Sequence, residues 1–364
     1  MDVLSGIRKF TDTLTGSHIH PIIPNWRVIG SSIRGFSHIR LDLPNQDAIK
    51  YLPDKGTGAR IILSIADGHG SKNYFRSDIG SKFAVETACE VCAGFLKDYS
   101  GKESEKIKDL KFRDVICREI VRKWKERVND HILNNPFSPE EEILISKKQE
   151  NGKKPDGEKI RYRPSDGLED YQVIPYGTTI LSIVVTEKFI LYLQLGDGDI
   201  LAITSDGKVS RPLPKDDRLI ANETTSLCLP IAWEEFRVRY QPIDKVAPIL
   251  IMVSSDGYSN SFSISSDFEK VGSDILEMIS KDPEDIEKEI GTVKENLDSW
   301  LKETSEHGSG DDITVGIICN LDKIREFSKN KPRIDETKKT SNEVKNLAGD
   351  PDSPKDTQAI EWVT

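Results

Sequence analysis

From Thr178 to Ser254 the chain is a succession of short apolar runs: Thr178–Thr186, Phe189–Leu195, Ile200–Thr204, Phe236–Tyr240 and Ile249–Ser254. Runs of this length, rich in Ile, Val, Leu, Phe and Tyr, have the span of strands rather than helices. Only Glu187 and Lys188 separate the first two runs. A connection that short returns the chain as a β-hairpin. The second half of the protein is therefore built on a sheet, whose apolar face needs a cover.

The first half supplies covering elements. Trp26–Ile33 reads as a strand, and Arg60–Ala66 (RIILSIA) as a buried strand halted by Asp67 and Gly68. Ile79, Phe83, Ala88, Val91, Phe95 and Tyr99 then recur at helical spacing, as do Phe112, Ile116, Ile120, Trp124, Val128 and Ile132. Prolines, glycines and charges mark 134–172 as a long exposed loop. A further helix is predicted with Asp282 as N-cap, Pro283 at its first position and Ile286, Ile290, Val293, Leu297 and Trp300 on its apolar face. Ile313–Cys319 is a last strand. The folded domain is placed at 24–325, between an extension (1–23) and a charged, proline-broken tail (328–364) that reads as disordered.

Composition excludes several function classes. No run of eighteen apolar residues exists to cross a membrane, and the first residues lack a secretory pattern, so a cytoplasmic location is expected. A net charge of −10 argues against nucleic acid as a partner, since phosphate backbones require clustered Lys and Arg. Cys89 and Cys92 form a lone CxxC within an apolar helical pattern and read as buried, reduced thiols.

Three aspartates share one context. Asp67 follows LSIA, Asp256 follows IMVSS, and Asp311 opens DDITVGII, so each stands at one end of an apolar strand. A single Asp-Gly after a strand is an ordinary turn. Three strand-end aspartates, one of them within ADGHG, can converge at a sheet edge, and such oxygen donors suit magnesium, manganese or calcium. Without a matching His or Cys cluster, zinc is disfavoured. Gly68 and Gly257 read as residues that permit tight turns there.

The motifs ADGHG (66–70), YGTTILSIVV (176–185), LQLGDGDI (193–200), MVSSDGYS (252–259) and GSGDDITVGII (308–318) occur in the order found in the metal-dependent type 2C serine/threonine protein phosphatases, which the chain resembles over about 26–320. The resemblance implies an α+β fold, two packed antiparallel sheets flanked by helices in a four-layer α-β-β-α sandwich. It implies a signalling hydrolase acting on a phosphorylated protein, with two Mn2+ or Mg2+ ions activating a water for in-line attack on phosphorus. Asp67 would bridge both metals, the Gly68 carbonyl would ligate the second, and Asp256 and Asp311 would complete the first. His69 would serve as the acid for the departing serine.

The amino-terminal motif departs from the family. Where an Arg precedes a Glu-Asp pair, this chain has RGFSHIRLDLPNQDA (34–48), with Gln46 in the Glu position and Asp47 matching as a metal ligand. Arg40, Arg34 and His38 are candidates to grip phosphate, Arg40 foremost. The segment is similar to a variant bacterial branch of the family. A third metal in bacterial members implicates Asp217, or Asp216 beside it, against the plain reading of a solvated acidic loop. Gln46 also admits a silent pseudophosphatase that works as a binding or regulatory module.

Overall fold

The Glu187-Lys188 link does close a hairpin: strands β5 (Ile180–Val185) and β6 (Phe189–Leu195) pair antiparallel, with Val185 opposite Ile190. In this computed structural model, residues 25–98, 110–151, 170–215, 224–243 and 247–330 are described. The predicted extension 1–23, most of the predicted tail and the pair Asp216-Asp217 lie outside them.

The hairpin belongs to a five-stranded antiparallel sheet. Its order is β2 (Ala48–Leu52), β4 (Ile61–Ala66), β5, β6 and β9 (Arg237–Pro242). A second, six-stranded sheet runs β3 (Thr57–Gly58), β1 (Trp26–Ile33), β11 (Ile313–Asn320), β10 (Leu250–Ser254), β7 (Asp199–Ile203) and β8 (Val209–Ser210). Every pairing in both is antiparallel.

β4 shows why its sequence is almost wholly apolar. Successive side chains of a strand point to opposite faces. Ile61, Leu63 and Ile65 enter the core between the sheets, where they meet Val28, Ile183, Tyr192, Ile251 and Val253. Ile62 and Ala66 face outward, into a second core with α2 (Ser77–Asp98) and α3 (Leu110–Asn134). The far face of the six-stranded sheet is covered by α6 (Ser265–Ile279), α7 (Ile286–His307) and α8 (Leu321–Asn330). The layers are helix, sheet, sheet, helix, as the family resemblance implied.

Three of the longer helices were not legible, and one begins later than the sequence suggests. Within the predicted loop 134–172, Pro139–Asn151 forms α4. Its neighbour Arg76 explains the docking: the guanidinium donates to the carbonyls of Asn135 and Pro136 and to Tyr176, pairs with Glu141 at 2.8 Å, and lies 4.5 Å over the Phe137 ring. α6 and α8 are amphipathic helices whose buried faces, Phe268, Val271, Ile275 and Leu276 in one and Leu321 and Ile324 in the other, are spread among charges. α7 starts at Ile286 with Asp285 as N-cap, accepting from the Lys288 N–H; Asp282 instead receives the Glu284 N–H in the preceding turn. Cys89 and Cys92 are buried free thiols on α2, and burial pushes the Cys89 thiol up to about 11. Among the described residues no helix is long and apolar enough to cross a membrane.

Candidate metal centre

Antiparallel pairing gathers the acidic residues. Ala48 lies opposite Ala66 in register, so Asp47, before β2, and Asp67, after β4, are at the same end of their sheet. Ser254 faces Val315 and Asp199, so Asp256, after β10, Asp311 and Asp312, before β11, and Asp197, before β7, also share one end. Both sets open on one cavity of about 610 Å³, lined by Asp67, Asp256, Asp311, Asp312 and Asp197 with His38, Gln46 and His69. Asp47 is buried behind it.

Each aspartate is held by neighbouring hydrogen-bonding groups. The Asp67 carbonyl accepts from Thr178 Oγ1 and from the Thr179 N–H, both at 2.8 Å, while its own N–H donates to Thr179 Oγ1 at 3.0 Å. Gly68 donates to the Gln46 carbonyl at 3.1 Å, and His69 to that of Gly177 at 3.1 Å. The His69 ring meets Tyr74 edge-on, centroids 4.6 Å apart. Ser255 Oγ donates to Asp47 Oδ2 at 2.7 Å and receives the Thr314 N–H, which ties the two sheets together beneath the cavity. Asp256 accepts from Asn260 Nδ2, and Asp311 from the N–H of Asp312.

The glycines after the aspartates matter through closeness rather than turn conformation. Neither Gly68 nor Gly257 has a left-handed backbone. A Cβ on Gly68 would lie 2.6 Å from the Gln46 carbonyl, and one on Gly257 2.2 Å from that of Asp312. No side chain fits in either gap.

Electrostatics set this cluster apart from a turn. Burial raises the Asp67 carboxyl well above its ordinary range, helped by the charges of Asp47, Asp256 and Asp311. Burial pushes Asp47 up to about 8, against the hydroxyls of Ser255 and Thr314. Asp256 and Asp311 are likewise raised, burial first. His38 faces them from 12% exposure, and the Asp312 carboxylate 2.9 Å from its Nδ1 raises its own pKa against burial. Carboxylates crowded side by side in a partly buried cluster favour a compensating charge.

The residues present fit divalent cations. The donors are hard oxygens, the Gly68 cradle brings backbone to the cavity wall, and the Gln46 side-chain oxygen is buried there without a hydrogen-bond partner. Cations bound here would be held by Asp67, Asp256 and Asp311.

Other sequence candidates fall elsewhere. Arg40 is exposed on α1 (Phe36–Leu41), its guanidinium 6.0 Å over the Phe36 ring, and does not line the cavity. Arg34 is also outside the lining; it donates to the His38 carbonyl and reaches Asp42 at 3.4 Å. Of the three phosphate candidates, His38 alone lines the cavity. Asp197 and Asp312 were missed. The doublet Asp311-Asp312 carried a signal, because adjacent residues of an extended chain point to opposite sides: the Asp311 side chain is 52% exposed and that of Asp312 only 3%.

No curated protein matches the chain in sequence. Among solved structures, the Mycobacterium tuberculosis serine/threonine phosphatase PstP/Ppp is 16% identical over 81% of this chain and 98% of its own, TM-score 0.46. A catalytic domain of PstP in complex with two manganese ions is 17% identical over 81% and 98%, TM-score 0.44. Staphylococcus aureus Stp1 is 13% identical over 84% and 99%, TM-score 0.46. The sequence profile of the family described as Protein phosphatase 2C matches residues 34–302, well over half of the sequence, and the chain belongs to that family.

Proposed function

We propose that this chain is a metal-dependent serine/threonine phosphoprotein phosphatase. The observation that carries the reading is the cavity at the shared strand ends, into which Asp67, Asp256 and Asp311 project with raised pKa values and His69 beside them. Divalent cations bound there would acidify water and neutralise phosphoryl charge.

The chain's own residues do the rest. Asp67, Asp256 and Asp311 supply negative charge for the cations, and Thr178 and Thr179 hold the Asp67 backbone in place. His69, oriented by the Gly177 carbonyl and Tyr74, is the acid for the departing serine or threonine oxygen. Asp47 steadies the floor through Ser255. A third ion through Asp217 belongs to the same proposal, as does a cytoplasmic, phosphoprotein-directed role.

Release of phosphate from p-nitrophenyl phosphate in Mn2+ or Mg2+, abolished by chelator, tests the enzyme. A phosphopeptide panel then separates a protein substrate from a small phosphoester. Gln46, in the family's Glu position, favours a second reading, a silent phosphoprotein-binding module; saturable phosphopeptide binding with no turnover in either metal would support it.

A further inference from the structure

Asp312 does not behave as a cavity-facing ligand. Its carboxylate accepts the N–H groups of Gly35 and Gln46, each at 2.6 Å, which commits both oxygens to the backbone. On that anchored group rests the imidazole of His38, with Nδ1 2.9 Å from Asp312 Oδ2, an ion-pair distance without the alignment of a hydrogen bond. The other ring nitrogen, Nε2, is 3.6 Å from Asp311 Oδ1 on the cavity side. The donor atoms of His38, Asp311 and Asp312 lie within 4.8 Å of one another.

This is the arrangement of a histidine prepared to bind metal. Metal-ligating histidines give one ring nitrogen to a carboxylate or carbonyl, which fixes orientation and tautomer, and turn the other toward the ion. Two further features point the same way. Gln46, 7% exposed, keeps a side-chain oxygen on the same cavity with no partner. The centre also lacks the Glu expected at that position, so a neutral donor in addition to the carboxylates would complete its coordination without another charge.

Resting on the metal-centre reading above, we propose that His38 Nε2 is a ligand beside Asp311, making this centre a mixed nitrogen–oxygen site rather than an oxygen-only one. Imidazole shifts preference from Mg2+ toward first-row transition ions. Mn2+ is therefore bound in preference to Mg2+.

The test is pulsed electron paramagnetic resonance on the full chain loaded with Mn2+, alongside Mn2+ titration and melting of each metal-free variant. Wild type is expected to show imidazole nitrogen coupling. His69→Asn, which removes the other cavity histidine, should keep it. His38→Asn should lose it while still binding Mn2+, with affinity at one site falling on the order of tenfold or more. Wild type that binds Mn2+ without nitrogen coupling overturns the proposal and leaves the metal-centre reading standing. Coupling that survives in His38→Asn, or vanishes in His69→Asn, overturns it too. Wild type that binds no Mn2+ removes the metal centre and this ligand together.

Discussion

The carboxylate of Asp312 accepts the backbone N–H of Gln46 at 2.6 Å, joining residues 266 positions apart in the chain. Its partner oxygen does the same for Gly35. One buried side chain thus fixes both the exit from β1 and the approach to β2, between which His38 is carried.

Asp312→Ala should therefore be costly. Two buried N–H groups lose their acceptor, at about 1–3 kcal/mol each. A destabilisation of roughly 2–5 kcal/mol is expected in urea unfolding, with Asp312→Asn milder because one amide oxygen remains. A shift below about 0.5 kcal/mol, the range of inconsequential surface changes, would contradict this account.

The raised carboxyls predict an unusual pH response of the metal-free protein. Unfolded aspartates titrate near pH 4, whereas folded Asp47 does so at about 8 and Asp67, Asp256 and Asp311 are also raised. Between those values the native state holds more protons than the unfolded one, so stability falls as pH rises. The raised pKa of His38 acts in the same direction, its stabilisation being lost as pH climbs through the folded value. In chelator the melting temperature should be higher near pH 5.5 than near pH 8. Saturating Mn2+ should largely remove the difference, because the cation takes over from the protons.

Gln46→Glu adds a charge to this cluster. The metal-free variant should melt lower than wild type at neutral pH, and the rise in melting temperature on adding Mn2+ should be larger. Equal Mn2+-induced shifts in the two proteins would place position 46 outside the field of the ions.

His69→Ala should leave Mn2+ affinity unchanged, because His69 is set to donate a proton rather than to ligate. Turnover of a phosphoserine peptide should drop by roughly a hundredfold or more, the scale of losing a general acid. p-Nitrophenyl phosphate, whose leaving group needs little protonation, should suffer much less. Equal losses on both substrates would refute the assignment.

Arg76→Met should destabilise by about 2–4 kcal/mol, since the Asn135 and Pro136 carbonyls, the Tyr176 hydroxyl and Glu141 lose a shared cation at a site only 12% exposed. Thermal or urea unfolding of the variant measures it. Because Tyr176 precedes the Gly177-Thr178 segment that holds Asp67 and His69, a parallel loss of turnover is expected.

The parts legible in the sequence were those governed by one dominant local rule. Ile61–Ala66 and Ile313–Asn320 are buried on both faces and could be little else than strands. The aspartates were found because each interrupts such a run. α4 was hidden because its residues are mostly polar and its place is set by Arg76, a tertiary partner far away in sequence. Arg40 was favoured for its charge, but a six-residue helix turns it to solvent while His38, two positions earlier, faces inward. Asp312 went unread beside Asp311, although adjacent residues of an extended chain point to opposite sides and the structure leaves one half-exposed and the other buried.

β11 pairs with β1 along one edge and β10 along the other, and among the described residues no other strand joins those two halves of the six-stranded sheet. Without that strand, β3-β1 and β10-β7-β8 would be separate ribbons with bare inner edges. Contacts of such long sequence separation form slowly. A nascent chain would accordingly acquire α2, α3 and its five-stranded sheet before its acidic cavity, so that any catalytic competence would emerge in a single late step rather than by gradual accumulation.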